Sequence, residues 1–194
     1  MTISDLAPVA QRRREFIDHL QLLAWNLTSG RPHLVSEARR TLAQLRRSIT
    51  EHRHEHDALA LVFEHQPPRA EEQAWLTIAG LFALAPQTGG SRLPLGAALQ
   101  QLDRQRASGT AQKRLRQLLA ADAHSLPQHL RSALRLLAND GITVNFHALL
   151  DDLVILLHPV HDENKTRDVQ WRWARDFHRK TSTNNTPASQ ETDQ

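Results

Sequence analysis

Apolar residues recur three and four positions apart along almost the whole of this chain, and no run of alternating β-branched residues is long enough to build a sheet. Helices packed on helices are what such a pattern permits. The expected fold class is therefore all-α, a helical bundle in two small lobes followed by a disordered polar C-terminal tail. With 194 residues the chain can bury one sizeable core, or divide into two lobes, without staples. Cysteine is absent, which excludes a disulfide framework, a thiolate zinc site and a cysteine nucleophile.

The spacing predicts a first helix over Val9–Trp25, with Phe16, Leu20 and Leu23 on one face, stopped by Ser29-Gly30-Arg31-Pro32. A second follows Ser36, with Ala38, Leu42, Leu45 and Ile49 as its core stripe. Glu71–Leu84 reads as a mostly buried helix between Pro67-Pro68 and Pro86 with Gly89-Gly90, and Leu93–Leu102 as a shorter one. Ala107-Ser108-Gly109-Thr110 breaks the pattern and marks the boundary between an N-terminal lobe, 1–106, and a C-terminal lobe, 110–180. Beyond it, Ala111–Ala120 and Pro127–Leu137 form a helical hairpin, with Pro127 suited to a first turn and Gly141 to a stop. Val144–Leu157 and Arg167–Lys180 supply two more helices. The polar stretch 181–194 has no apolar stripe to bury and is expected to be disordered.

Charge narrows the partner. The chain has 24 basic residues against 21 acidic ones, and only Lys113, Lys165 and Lys180 among the former are lysine. Arginine is the side chain suited to forked contact with phosphate, because its guanidinium is planar and permanently charged. A GC-rich genome produces the same bias, so position has to decide. The tail holds Glu191 and Asp193 and no base, so the net charge of +3 rises to +5 over residues 1–180.

On the second helix Arg40 and Arg47 fall opposite the core stripe and Arg39 and Arg46 flank it, with no acid between Ala38 and Thr50. Seven residues span ~10 Å of helix, about three nucleotides of one strand at ~3.4 Å each. The second lobe repeats the theme with Lys113, Arg114 and Arg116, and with Arg131 and Arg135 at i, i+4, where like charges repel mildly. In the last helix Arg172, Arg175 and Arg179 interleave with Trp171, Trp173 and Phe177. Aromatic rings among arginines can stack bases, but these rings read as core and the arginines as contacts. Arg12 and Arg13 read as an ordinary exposed N-terminal run. An ordinary solvated helix face is the bland alternative for each isolated pair.

Catalytic patterns are poor. His52-Arg53-His54-Glu55-His56 has two histidines four apart, but Glu55 precedes the second His instead of following the first, so the helical zinc-protease pattern fails. His158 and His161 have no third ligand beyond Asp162 and Glu163. Asp151 and Asp152 diverge by 100° on a helix, and one is expected to cap or to pair with arginine. No Gly-rich phosphate loop is present. No catalytic residue, metal or cofactor is assigned. No segment reaches ~18 uninterrupted apolar residues, and the start lacks a basic leader into an apolar run, so a cytoplasmic protein without membrane contact is expected.

The order of Ala43-Gln44-Leu45-Arg46-Arg47, Leu95-Gly96-Ala97-Ala98-Leu99, Lys113-Arg114-Leu115-Arg116-Gln117-Leu118-Leu119, His129-Leu130-Arg131 and Trp173-Ala174-Arg175-Asp176-Phe177 resembles the CasB family, the small subunit of the type I-E CRISPR Cascade surveillance complex. The resemblance covers most of residues 36–180, with Asp152-Leu153-Val154 and His178 standing where the family commonly has an aromatic and a Tyr. It implies a non-catalytic, all-helical subunit that sits beside a second copy of itself and contacts the backbone and large subunits. It also implies contact with guide RNA, target DNA strand and displaced DNA strand through phosphates, since guide pairing supplies the sequence specificity. By position, Arg46, Arg47, Lys113, Arg114, Arg131 and Arg172 are the first choices for those contacts. Two other classes stay open at this point, a helical protein–protein scaffold without direct nucleic-acid contact and a His-dependent metallohydrolase.

Overall fold

A computed structural model of the chain describes residues 7–49, 55–88 and 92–179. The expected tail, 181–194, lies outside the described residues, as do His52, Arg53 and His54 of the histidine cluster. Among the described residues the elements run α1 (Val9–Asn26), α2 (Pro32–Ser48), α3 (Glu55–Glu64), a 3-10 turn (Arg69–Glu71), α4 (Glu72–Leu84), α5 (Leu95–Arg106), α6 (Thr110–Leu119), α7 (Leu126–Asn139), α8 (Phe146–Leu156) and α9 (Glu163–His178). The fold is all-α, and the extended backbone pairing among these residues is a single parallel bridge between Leu93 and Val144.

The helices form where the periodicity placed them, with four differences, the first being that α5 runs on to Arg106 rather than stopping at Leu102. Helix α2 begins at Pro32 rather than after Ser36, because proline at a first helical position loses no backbone hydrogen bond. Helix α9 begins at Glu163 rather than Arg167, because Asp162 caps it by accepting hydrogen bonds from the backbone N–H of Asn164 and Lys165, both at 3.1 Å. The sequence reading assigned no helix at α3, whose Ala58 and Val62 are buried.

Helix α4 is the centre of the molecule. Every residue from Thr77 to Ala83 is buried, as expected of a helix apolar on all sides, and α4 packs on α2, α3, α7 and α8. Trp75 stacks on Phe16 of α1 at 4.8 Å between ring centroids, and Phe82 meets Phe146 of α8 edge-on at 5.0 Å. Helix α5 packs most extensively on α9 and also on α6 and α7. It ends where Ala107 takes a left-handed conformation at φ 47°, and Gly109 at φ 64° turns the chain into α6. Gly141, at φ 67°, closes α7 by donating from its N–H to the Ala138 carbonyl at 3.0 Å.

Candidate nucleic-acid interface

Two acids are buried in this core, and each has its own arginine. Glu71 accepts hydrogen bonds from Arg13 Nη2 at 2.6 Å, Arg13 Nε at 2.9 Å and Trp75 Nε1 at 3.1 Å. Burial alone would push its carboxyl up, but those hydrogen bonds and the charges of Arg13 and Arg12 hold it below the usual carboxylate range. Arg13 also reaches Asp151 of α8 at 3.0 Å, and Arg12 donates to the Gln66 carbonyl. The expectation of an ordinary exposed run at Arg12 and Arg13 is thus corrected: both are half-buried and tie α1 to other elements. Arg13 stands three residues before Phe16 and four before Ile17, on the edge of the core stripe, a spacing that accounts for its partial burial but does not name its partner.

Asp152 of α8 accepts from Trp173 Nε1 at 2.6 Å and is paired with Arg172. Burial pushes its carboxyl up, against the Trp173 hydrogen bond and the Arg172 charge. The pairing of one member of Asp151-Asp152 with arginine was expected, and here both members have one. Arg172 is therefore committed to the α8–α9 junction. Arg179 lies 4.0 Å from Asp176, and Arg175 is exposed.

Most of the remaining candidate cations are exposed. Arg40, Arg46 and Arg47 of α2 are exposed, and Arg46 Nε donates to the Ala83 carbonyl in the last turn of α4 at 3.1 Å. That bond satisfies a carbonyl left without an intrahelical partner and fits the flanking position of Arg46 beside the stripe. On α6, Lys113 and Arg116 are exposed, whereas Arg114 is half-buried and donates to Gln117 Oε1 at 2.9 Å. On α7, Arg135 is exposed and Arg131 is half-buried. Among the described residues Arg40, Lys113, Arg116, Arg131, Arg135 and Arg175 hold no side-chain hydrogen bond or ion pair.

Arg131 lines a cleft of about 620 Å³ together with His124 and Gln128, and Ser48 and Ile49 at the end of α2 also line it. The cleft therefore joins the helix end that carries Arg46 and Arg47 to the start of α7. Helix α9 contributes nothing to its lining. Among the described residues no group of three or more His, Asp or Glu side chains converges as a metal site, and His158 Nδ1 accepts from the Val160 backbone N–H at 3.1 Å. None of the described helices is long and apolar enough to cross a membrane.

Residues 41–178 match the family described as CRISPR-associated protein Cse2. The fold is similar to that of the Cse2-family CRISPR-associated protein of Thermus thermophilus, at 25% identity and a TM-score of 0.61 over 82% of this chain and 96% of that one. CasB from M. ruber is 26% identical, with a TM-score of 0.63 over 86% of this chain and 92% of that one. A chain described under CRISPR RNA-guided surveillance complex shares the fold at 21% identity and a TM-score of 0.65, covering 88% of this chain and 92% of that chain. No curated protein sequence matches.

Proposed function

This chain belongs to the CRISPR-associated Cse2 family, and from that premise we propose that it is a non-catalytic subunit of a CRISPR RNA-guided surveillance complex that holds nucleic acid by sequence-independent phosphate contacts. The strands in question are the guide RNA, the target DNA and the displaced DNA. Its protein neighbours are the backbone and large subunits of the complex and a second copy of itself, and the assembly is cytoplasmic. The observation that carries this reading is the division of labour among the cations. The buried acids Glu71 and Asp152 engage Arg13 and Arg172, while Arg40, Lys113, Arg116 and Arg135 lie exposed on three helices without an acidic partner among the described residues. Exposed cations held on rigid helices and unneutralised by neighbours are what a phosphate backbone meets without base readout.

Arg46 and Arg47 directly precede Ser48 and Ile49, which line the cleft together with Arg131, so a strand crossing from α2 to α7 would pass exposed arginines at the end of α2 and then Arg131. Replacing Arg46 and Arg47 with Ala should weaken binding to DNA and RNA of any sequence. Because Arg46→Ala also removes the hydrogen bond to Ala83, the helical spectrum of the variant has to match the parent. Arg69→Ala, at an exposed position outside the lining of this cleft, serves as the control and should bind as the parent does. Folded Arg46/Arg47 variants with undiminished affinity would move these arginines to acidic surfaces on protein partners, and the scaffold reading would replace this one.

A further inference from the structure

One aromatic ring departs from the sequence expectation that the rings of α9 are core. Val169, Trp173 and Phe177 form the buried stripe of this helix. Trp171 stands two residues from Trp173, about 200° around the helix, and is 60% exposed. Of the chain's four tryptophans Trp75 and Trp173 are fully buried, while Trp25 on α1 and Trp171 are both exposed. A single exposed apolar side chain is ordinary on a protein surface, and what distinguishes Trp171 is the charge placed around it.

Its surroundings define the chemistry of that partner. Arg167, one turn earlier, holds its guanidinium carbon 5.5 Å from the Trp171 ring centroid, and its Nη2 is fixed by Asn164 Oδ1 at 2.7 Å. Arg175, one turn later, is exposed and has neither hydrogen bond nor ion pair among the described residues. The indole is thus bracketed by cations one helical turn, ~6 Å, away on each side. Exposed His178 continues the line, Asp168 is the acid on this face, and Arg172 is occupied by Asp152. A protein knob would need a second large apolar side chain in this row, and the row Asn164, Arg167, Asp168, Trp171, Arg175, His178 has none. A flat ring with one guanidinium against it and an unpaired arginine one turn further along the helix fits an unpaired base flanked by its own phosphates.

We propose that Trp171 is a base-stacking platform for single-stranded nucleic acid, with Arg167 orienting the ring and Arg175 meeting the adjacent phosphate. The proposal rests on the nucleic-acid reading above and adds to it a preference for unpaired bases over duplex. The full chain carrying Trp171→Ala or Trp171→Phe is titrated, at one salt concentration, with oligothymidylate, with an abasic strand of equal length and with a duplex. Trp171→Ala should bind oligothymidylate roughly five- to 150-fold more weakly, the range for loss of one base stacked on an aromatic ring, and Trp171→Phe should retain most of the affinity. Binding to the abasic strand and the duplex should not change. Unchanged affinity of Trp171→Ala for oligothymidylate overturns the proposal, as does an equal loss on all three ligands. Loss of the variant from the assembled complex with oligothymidylate binding intact also overturns it, and assigns the ring to a protein partner. The Arg46/Arg47 variants, read on the abasic strand and the duplex, report separately on the phosphate reading.

Discussion

At the scale of single residues, the two buried carboxylates respond to pH with opposite sign. Glu71 is held below its ordinary value, so its ionised form contributes stability above about pH 4.3, the unperturbed value for Glu, and that contribution is lost as pH falls through the folded value. Asp152 is pushed up by burial, so even beside Arg172 its ionisation costs more in the fold than in the unfolded chain, and the stability present below its unfolded value is lost as pH rises through the raised value. Glu71→Gln removes the ionic partner of Arg13 and should cost roughly 1.5–3 kcal/mol near neutral pH, the range for hydrogen bonds to charged groups. The deficit should shrink below about pH 4, as the parent loses the same charge. Denaturant unfolding of parent and variant across that range checks it, and a deficit independent of pH would show that Glu71 acts through packing alone.

Between elements, the tightest crossings are made by glycines. A Cβ on Gly96 would overlap the Trp173 carbonyl oxygen and stand 2.9 Å from Asp176 Cβ, so α5 and α9 meet with no room for a methyl group. Gly96→Ala should therefore cost roughly 1–3 kcal/mol by overpacking and lower the thermal midpoint. Gly30→Ala, in open space at φ +70°, should cost about 1–2 kcal/mol through backbone conformation only. A Gly96→Ala protein as stable as the parent would mean that the α5–α9 crossing is loose. This crossing also shows what the sequence could convey and what it could not. The helices of the bundle were legible because Phe16, Leu20 and Leu23, or Ala38, Leu42 and Leu45, repeat at helical spacing. The starts of α2 and α9 were missed because Pro32 and Asp162 act through position at a terminus, which periodicity does not register. Helix α3 was missed because its short apolar run adjoins the histidine cluster. The commitment of Arg172 to Asp152 and of Arg13 to Glu71 depends on partners 20 and 58 residues away, and no local pattern reports those pairings. The exposed cations of α2 and α6 were legible, since they sit opposite apolar stripes on the same helix.

For the whole molecule, the division into lobes 1–106 and 110–180 is a proposal about cooperativity, and α4 and α5 are where it meets resistance. Helix α4 covers α7 and α8, and α5 lies mainly on α9, so either lobe alone would expose apolar faces that the other buries. A single thermal transition in calorimetry is the expected result, and two resolved transitions would establish the lobes as separate folding units. The central claim is that rigid helices present cations to phosphate without reading bases. It is tested most directly by the affinity of the parent chain and its Arg46/Arg47→Ala variant for two strands of unrelated sequence across a range of NaCl concentrations. The parent should bind both strands equally, and log K should fall linearly with log salt. The slope of the variant should be smaller in magnitude by ~0.7–0.9 for each phosphate it no longer neutralises, the increment for counterion release. A slope near zero for the parent, or slopes identical in parent and folded variant, would contradict the claim.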